Sequence, residues 1–292
     1  NGVRIAIIYE SDLWPGLVES SIRSRVPLCW LSARLTPQAV RRWRYAKRLF
    51  RWMVEHCTVI TAATEKDAER IAVLSGYSPE VTGDFKLYHS AEFSKERSKK
   101  RETRPIRFAA LSLHLKELST LLTLLQKPNA PDRWVLQPRH LKEVKKMEKL
   151  CRSSGWKVTF WPQHPKEGEV AIVKSVGDTF SVASNTTTAL IGGSLSCRIG
   201  VHNPIEAVES GATILTGSFW YLRKEEFEVL DRFQLRQQIS HEMEVWPECG
   251  EAEVESIESA LALLFEQAQC ASQRTFEILS QLSKTVKGEE QR

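Results

Sequence analysis

The stretch that best defines the fold of this chain is Thr188-Ala-Leu-Ile-Gly-Gly-Ser-Leu-Ser-Cys-Arg-Ile-Gly-Val-His-Asn-Pro-Ile-Glu-Ala-Val-Glu-Ser-Gly211. It begins with an apolar run typical of a buried strand and then turns at Gly192-Gly193-Ser194. After the turn, Asn203 suits the N-cap, Pro204 suits N1 and Glu206 falls at N3, so a capped helix is predicted to start here. Strand, glycine turn and helix in this order form the repeating unit of a parallel α/β sheet.

The same alternation of strands and helices extends in both directions along the chain. Strands are predicted at Val3–Tyr9, Val26–Leu31, Thr58–Ala62, Ile106–Leu111, Arg133–Leu136, Trp156–Phe160, Glu169–Val173, Thr187–Ile191 and Ala212–Leu215. Helices are predicted at Leu13–Arg23, Pro37–Val54, Thr64–Ser75, His114–Leu125, Leu141–Ser153 and Pro204–Ser210, and from Arg223 onward. The pattern predicts an α/β fold with two doubly wound domains, residues 1–95 and 106–292, joined by a charged linker at 96–105.

Composition supports this interpretation and narrows the classes of function. The chain has 292 residues, 42% of them hydrophobic, and 41 basic against 36 acidic residues, for a net charge of +5. This length fits about two domains, and the apolar fraction excludes global disorder. No apolar run reaches the roughly 18 residues of a membrane span. The chain opens with Asn rather than Met, so we expect the first domain to lack its beginning.

The cysteines and the basic residues point to no specific chemistry by themselves. Six cysteines are scattered without C-x-x-C pairs, which favours free thiols in a reducing compartment over a metal site or disulfides. Residues 41–51 carry six basic side chains and no acid, with Trp43 and Tyr45 between them. Such a patch can meet nucleic acid, anionic lipid or a phosphorylated substrate, but a solvated helix face is the simpler interpretation.

The turn at Gly192-Gly193-Ser194 is the strongest candidate for a binding site. Glycines let backbone N–H groups approach an anion, and the helix start after Asn203 faces the same strand end. The pair would hold a phosphate while Glu206 accepts hydrogen bonds from a ribose diol. A well-capped helix after a turn, without a ligand, explains the same residues.

Cations and carboxylates follow several other predicted strands. Arg139, Lys86 and Arg34 lie at strand or loop ends, where together they would suit a phosphate leaving group and a substrate carboxylate. Glu10 and Asp12 follow the first strand and suit acid/base work; the alternative is that Ser11 or Asp12 is the N-cap of the next helix. Walker, dinucleotide-fingerprint, Asp-x-Asp and G-x-S-x-G motifs are absent from the sequence, which leaves metal-free chemistry on a nucleotide-linked substrate.

An ordered series of short motifs resembles the 3-deoxy-D-manno-octulosonic acid (Kdo) transferases. The series is Glu10-Ser-Asp-Leu-Trp-Pro, Ser32-Ala-Arg-Leu-Thr, Gly83-Asp-Phe-Lys, Ser112-Leu-His, Pro138-Arg-His, Gly192-Gly-Ser-Leu and His202-Asn-Pro-Ile-Glu. The motifs run in order from about Ile5 to Gly217 at plausible spacing. Each motif is weak alone, but the ordered set is specific.

The resemblance implies a GT-B fold, in which two Rossmann-like domains face each other across a cleft. It implies inverting, metal-independent transfer of Kdo from CMP-Kdo to a lipid A precursor (lipid IVA) in lipopolysaccharide synthesis, at the cytoplasmic face of the bacterial inner membrane. Residues 1–95 would then be the remainder of the acceptor-side domain and 106–292 the nucleotide-sugar domain with terminal helices. The catalytic residues it implies are Glu10, Lys86 and Arg139. The substrate-binding residues it implies are Arg34, Ser112, His114, Gly192, Gly193, Ser194, His202, Asn203 and Glu206. No cofactor and no nucleic-acid partner is expected, and the patch at 41–51, with Trp43 and Trp52, would rest on anionic lipid.

The sequence also departs from the family pattern, and this keeps two alternatives open. The family's Asp-Thr-x-Gly-Glu-Leu reads Lys174-Ser-Val-Gly-Asp-Thr, and its Gly-Pro-His reads Gly217-Ser-Phe. The family's first part, with its membrane anchor and proposed general base, is not in this sequence. One alternative is a truncated or degenerate homologue that binds nucleotide without catalysis. The other is a GT-B transferase that uses another nucleotide sugar.

Overall fold

The computed structural model describes residues 3–10, 13–84, 104–196, 200–220, 223–250 and 252–289. The chain forms two compact units. Unit 1 comprises Asn1–His89 and Phe265–Arg292, and unit 2 comprises Ser90–Leu264.

Unit 1 is built on a parallel sheet of four described strands in the order β1-β2-β3-β4. The strands are β1 (Ala6–Tyr9), β2 (Leu28–Ala33), β3 (Val59–Ala62) and β4 (Glu80–Val81). The helices are α1 (Pro15–Ser24), α2 (Pro37–Trp43), α3 (Lys47–Glu55) and α4 (Glu65–Ser75), with a 3₁₀ turn at Arg44–Ala46. The core contains Trp30 of β2 packed edge-on against Phe50 of α3, with ring centroids 6.3 Å apart. Burying such large apolar side chains is the main source of stability.

Unit 2 is built on a parallel sheet of seven described strands in the order β11-β10-β9-β5-β6-β8-β7. The strands are β5 (Ile106–Leu113), β6 (Arg133–Pro138), β7 (Lys157–Phe160), β8 (Glu169–Ile172), β9 (Thr186–Ile191), β10 (Thr213–Thr216) and β11 (Arg236–Gln238). The helices are α5 (Leu115–Leu124), α6 (Val144–Ser153), α7 (Thr179–Ser184), α8 (Ile205–Glu209) and α9 (Lys224–Arg232), with a 3₁₀ turn at Leu141–Glu143. A last helix, α10 (Val254–Glu289), belongs to unit 2 as far as Leu264 and to unit 1 from Phe265. Its core contains Phe108 and Trp134, with ring centroids 6.1 Å apart.

The order of the strands in unit 2 creates one point at which the direction of winding reverses. From β5 the chain adds β6, β7 and β8 on one side, and then crosses to β9, β10 and β11 on the other. β5 and β9 are neighbours, so the connections after them leave the sheet in opposite directions. Ligands of doubly wound sheets bind in the crevice outside the carboxyl ends of the strands at such a switch point. The loops after β5 and β9 are therefore where a ligand is expected in unit 2.

The predicted α/β class is confirmed, and the local signals explain much of it. Thr64 caps α4 as predicted, since its hydroxyl oxygen accepts a hydrogen bond from the Asp67 N–H at 3.2 Å. The predicted helix Pro37–Val54 is interrupted by the 3₁₀ turn at Arg44–Ala46. The strands of unit 1 follow one another in chain order, whereas those of unit 2 are doubly wound.

The C-terminal part of the chain differs from the prediction in two ways. It is not helical throughout, because β11 forms an edge strand and residues 239–250, 252 and 253 are irregular. In addition, residues 265–292 belong to unit 1 and not to the second domain predicted as 106–292. Small buried side chains of α10, Ala268 and Ala271, pack in unit 1, and Arg274 pairs with Glu80 at 2.6 Å. Residues 96–103 of the expected linker lie outside the described residues.

Candidate functional site

Two glycines after β9 allow the chain to pass close to the end of β5. A Cβ atom on Gly192 would lie 2.2 Å from the Ser112 carbonyl oxygen, and one on Gly193 would lie 1.9 Å from the Gly200 carbonyl oxygen. Gly193 also has a φ of +82°, which side-chain-bearing residues rarely adopt. Glycine is therefore required here to bring the ends of β5 and β9 together.

A buried carboxylate, Glu117 in the first turn of α5, ties the two strand ends together. Its oxygens accept hydrogen bonds from the N–H groups of Gly193 at 2.8 Å, Leu195 at 2.8 Å and His114 at 3.1 Å. Burial raises the pKa of Glu117, and these three hydrogen bonds act against that rise. Glu117 was not among the predicted site residues, although its position three residues after the N-cap His114 is that of a capping box.

These contacts change the expected role of the glycine turn. The Gly192 N–H donates to the Leu111 carbonyl at 2.8 Å, and the Gly193 N–H donates to Glu117. Both groups expected to bind a phosphate are therefore already satisfied within the protein. Ser194 is likewise internal, because its fully buried hydroxyl donates to the Ile191 carbonyl at 2.6 Å and accepts from the Gly217 N–H at 2.9 Å. The N–H groups of Gly192 and Gly193 and the hydroxyl of Ser194 therefore support the site from within and are not available to a ligand.

Two imidazoles meet directly above the turn. The Nε2 atoms of His114 and His202 lie 2.7 Å apart, so one ring carries the shared proton as donor and the other accepts it. The backbone of His202 is fixed as well, because its main-chain N–H donates a hydrogen bond to the Gly192 carbonyl at 3.0 Å. His140 lies edge-on to His114, with ring centroids 5.5 Å apart. The structure thus brings His114, His202, Gly192 and Gly193 together at the switch point.

Positive charge surrounds the imidazole pair. Arg139, at the end of β6, is exposed, and its guanidinium makes no hydrogen bond or ion pair with the described residues. Its N–H donates to the Leu113 carbonyl at 2.8 Å, which holds it beside β5. Burial lowers the pKa of His202 to about 3, and the charges of Arg139 and Arg223 act in the same direction. Burial also lowers the pKa of His114. Arg223 was not predicted, because nothing in its local sequence marks it.

The helix expected to bind a phosphate at its N-terminus is short. α8 has five residues and begins one position later than predicted, with Pro204 at its N-cap. Asn203 still caps it, since its side-chain oxygen accepts from the Ile205 N–H at 3.1 Å. Glu206 lies exposed in this first turn. One short turn of helix gives only a small dipole, so Arg139 is the stronger candidate for holding an anion.

The predicted residues of unit 1 form a separate cluster at the carboxyl ends of β1 and β2. The Arg34 guanidinium lies 2.7 Å from a carboxylate oxygen of Asp84 and 3.5 Å from one of Glu10. The Tyr9 hydroxyl donates to the other oxygen of Asp84. Lys86, predicted to act beside this group, lies outside the described residues, as does Asp12. Glu10 is therefore held by an arginine and is not an isolated carboxylate.

The basic patch at 41–51 is partly anchored in the core of unit 1. Trp43 packs on Phe50 with ring centroids 5.4 Å apart, and Trp52 also packs against the core. The exposed aromatic of the patch is Tyr45, whose relative exposure is 95%. Within the described residues, no helix has both the length and the apolar character needed to cross a membrane.

Comparison with known proteins agrees with the predicted resemblance. Residues 2–89 match the family model of the 3-deoxy-D-manno-octulosonic-acid transferases (kdotransferases). The chain is 27% identical to the 3-deoxy-D-manno-octulosonic acid transferase of Haemophilus influenzae, over 79% of this chain and 57% of that protein. It is 24% identical to a probable mitochondrial 3-deoxy-D-manno-octulosonic acid transferase of Arabidopsis thaliana, over 72% of this chain and 51% of that protein. The matches thus span about half the length of these relatives, and the resemblance to the family is confirmed.

Comparison with solved structures concerns the fold. The UDP-N-acetylglucosamine 2-epimerase of Rickettsia bellii is 14% identical, with a TM-score of 0.57 over 97% of this chain and 75% of that chain. This likeness covers both units and supports the predicted GT-B fold class.

Proposed function

We propose that this chain acts in a glycosyltransferase that moves Kdo from CMP-Kdo to a lipid A precursor (lipid IVA) during lipopolysaccharide synthesis. The observation that carries the proposal is the convergence of Arg139, His114 and His202 around the Gly192-Gly193 turn at the switch point of unit 2. The relatives named above are 3-deoxy-D-manno-octulosonic acid transferases, which supports the transfer of Kdo. The same proposal places the protein at the cytoplasmic face of the bacterial inner membrane.

The donor side of the reaction requires stabilisation of a departing phosphate. Negative charge builds on the phosphate of CMP as the bond to the sugar breaks, and fixed positive charge nearby lowers that barrier. Arg139 supplies such a charge, and the guanidinium fork suits phosphate oxygens. We propose Ser112, Asn203 and Glu206 as further contacts to the nucleotide, with Glu206 at the ribose diol. Because Arg139 meets the charge requirement, we propose a transfer that is independent of a metal ion; that the transfer is inverting is proposed from the family resemblance alone.

On the acceptor side, we propose that Glu10, Arg34 and Lys86 contact the sugar acceptor. The lipid part of this acceptor requires a membrane surface close to unit 1. The basic patch at 41–51 suits anionic headgroups, with Tyr45 as its exposed aromatic side chain. Sedimentation with liposomes tests this contact: binding should require anionic lipid, and binding that is indifferent to lipid charge would contradict it.

The proposal is tested most directly by nucleotide binding. CMP at millimolar concentration should raise the melting temperature of the protein, and Glu206→Ala should remove the shift. The matched control for Glu206→Ala must be an exposed glutamate away from the site. Glu248→Ala meets this requirement, because Glu248 is exposed at the other end of the sheet, whereas Glu209 is buried. If CMP produces no shift, the proposed function is wrong. If UDP displaces CMP at lower concentration, the donor is another nucleotide sugar.

One observation favours a second candidate, a homologue that binds nucleotide without transferring sugar. A general base must accept a proton from the acceptor hydroxyl, but Glu10 and Asp84 are both engaged by Arg34. Transfer of labelled Kdo from CMP-Kdo, generated in the assay, to lipid IVA separates the two candidates. Binding of CMP together with the absence of transfer would establish the second.

A further inference from the structure

The contact between His114 and His202 limits how many protons the two imidazole rings can carry. Their Nε2 atoms lie 2.7 Å apart, the ring centres lie 5.0 Å apart and the ring planes are inclined by 19°, so the rings meet edge to edge. One Nε2 is an N–H donor and the other accepts, since two protonated nitrogens would repel at this distance. The pair can be neutral, or it can carry one positive charge when the donor ring is also protonated at Nδ1. It cannot carry two charges without losing the contact.

The charges around the pair disfavour this additional proton. Burial, and after it the charge of Arg139, holds the pKa of His202 low, and burial also lowers the pKa of His114. Among the described groups whose charges act on the two rings, only the Glu143 carboxylate favours a further proton, and it acts on His114. The carboxylate of Glu117 is engaged by three backbone N–H groups. The other charged or titratable groups on the elements around the pair are Lys116 of α5, His140 after β6, Glu206 in the first turn of α8 and Arg223 before α9.

A phosphate bound by Arg139 would reverse this balance. Its negative charge would offset the guanidinium whose charge acts most strongly on His202, and it would itself favour the charged form of the pair. The additional proton would enter at the Nδ1 atom of the donor ring, so the contact between the two Nε2 atoms would remain. A charged donor also makes a shorter and stronger hydrogen bond to the accepting ring. The pair can therefore add one positive charge to the site without rearranging.

We propose that the pair of His114 and His202 takes up one proton from the solvent when the phosphate of the donor binds, and that it then holds this phosphate together with Arg139. This inference rests on the proposed function, because it assumes a nucleotide at Arg139. Binding and protonation affect each other reciprocally, so a ligand that draws in a proton binds more tightly as the pH falls. The pair would thus make the affinity for the nucleotide depend on pH.

Titration calorimetry with the whole chain and the methyl phosphodiester of CMP tests the proposal. The diester keeps one negative charge throughout the pH range, whereas the monoester phosphate of CMP itself gains a proton near about pH 6. Heats measured at pH 6.5 in two buffers of different ionisation enthalpy give the number of protons taken up, which should be positive and at most about one per nucleotide. One proton can change the dissociation constant by at most about thirtyfold over 1.5 pH units, and we expect a decrease of at least about threefold from pH 7.5 to pH 6.

Replacing both rings locates the proton. The double variant His114→Gln and His202→Gln keeps side-chain amides that can hydrogen-bond to each other but cannot be protonated in this range. Proton uptake should disappear, and the dissociation constant of the diester should become independent of pH within about twofold. His140→Gln is the matched control beside the site and His241→Gln is the control away from it, because both histidines are exposed. Each should retain the proton uptake of the unaltered protein.

The outcomes separate this inference from the proposed function. If the unaltered protein binds the diester without proton uptake, the pair has no such role, and the proposed function stands on that binding. This measurement decides even if the double variant does not fold. Uptake that persists in the double variant, or that is lost in His140→Gln, would assign the proton to another group and overturn the inference. If the unaltered protein binds neither CMP nor its diester, the proposed function fails and this inference fails with it.

Discussion

The ends of β2 and β5 show the same local structure with opposite electrostatic surroundings. Each strand has a shift of register near its end and a serine with positive φ, 46° at Ser32 and 52° at Ser112. Such an irregularity re-aims the side chain that follows. After β2 it presents Arg34 to two carboxylates. After β5 it presents His114 to another imidazole and to the charges of Arg139 and Lys116, and only the Glu143 carboxylate acts in the opposite direction on its pKa. Position at a strand end therefore does not by itself make an anion site; the balance of charge around it decides.

This difference assigns distinct chemistry to the two units. The positive charge of Arg34 is compensated by carboxylates, so a phosphate there would have to displace Asp84 or Glu10. Around His202, the charges that act on its pKa are the guanidinium groups of Arg139 and Arg223 and the imidazoles of His114 and His140, and all of them disfavour a further proton. A phosphate bound there would relieve that repulsion. The comparison thus predicts that unit 2 binds the nucleotide, whereas the charged side chains of unit 1 pair with one another.

The largest effect is expected from Gly193→Ala, which removes the geometry on which the unit 2 site depends. The new methyl group would lie 1.9 Å from the Gly200 carbonyl oxygen, so the backbone must move. We expect a loss of roughly 3 kcal/mol, or about 10 °C in melting temperature, together with loss of CMP binding. Gly168→Ala is the control, because Gly168 also has a positive φ of +73° but nothing within 4 Å of an added Cβ. It should cost only about 1–2 kcal/mol. Equal losses of stability in the two variants would show that the positive φ, and not the close approach of the Gly200 carbonyl, makes alanine unfavourable at position 193.

The next largest effect separates the two arginines. Arg139→Ala should weaken CMP binding at least about tenfold, as expected for loss of a charge-assisted hydrogen bond, with little change in melting temperature. Arg34→Ala should do the reverse, because Glu10 and Asp84 would lose the cation that they share. We expect it to destabilise the protein by about 1–3 kcal/mol and to leave CMP affinity within twofold. Calorimetric titration and thermal unfolding of both variants decide, and weaker CMP binding in Arg34→Ala would contradict the comparison.

The pH dependence of stability is the third test. Burial depresses the pKa of His202 from 6.5 to about 3 in the folded state, so the unfolded chain binds the additional proton between these values. The stabilisation is fully present above pH 6.5 and declines as the pH falls. Between pH 7 and pH 5, protonation of this residue in the unfolded chain should lower the free energy of unfolding by about 2 kcal/mol. Denaturant unfolding at both pH values should show a smaller loss in His202→Asn and an unchanged loss in His241→Asn, an exposed histidine.

The sequence predicts the elements of unit 2 well because their signals are local. The apolar run before Gly192 and the apolar spacing of α5 each lie within one segment of the chain. β11 was missed because Arg236-Gln237-Gln238 is polar, and an edge strand does not need the apolar run of a central one. The membership of residues 265–289 in unit 1 was missed because it depends on contacts distant in sequence, such as Arg274 with Glu80.

The candidate site shows the same division between local and distant information. The short motifs predict His114, His202, Gly192 and Gly193 as residues of one site, and the structure places these four residues close together. They did not indicate that Glu117 satisfies the N–H of Gly193, because that hydrogen bond joins residues 76 positions apart. Hydrogen-bond partners across a sheet are set by strand order, which periodicity does not reveal.

The smallest effect is the most specific test of the charge-balance argument. Replacing Glu10 by Gln and Asp84 by Asn together removes the negative charge around Arg34 with little change in side-chain size. If charge balance alone separates the two units, Arg34 becomes an anion site, and phosphate at about 10 mM should raise the melting temperature of the double variant by about 1 °C, as for a dissociation constant near that concentration. The same phosphate should have no such effect on unit 1 in the triple variant that also carries Arg34→Ala. Both measurements are made in the Arg139→Ala background, so that unit 2 contributes no phosphate binding. An absence of any shift in the double variant would mean that the shape of the site, and not only its charge, excludes anions from unit 1.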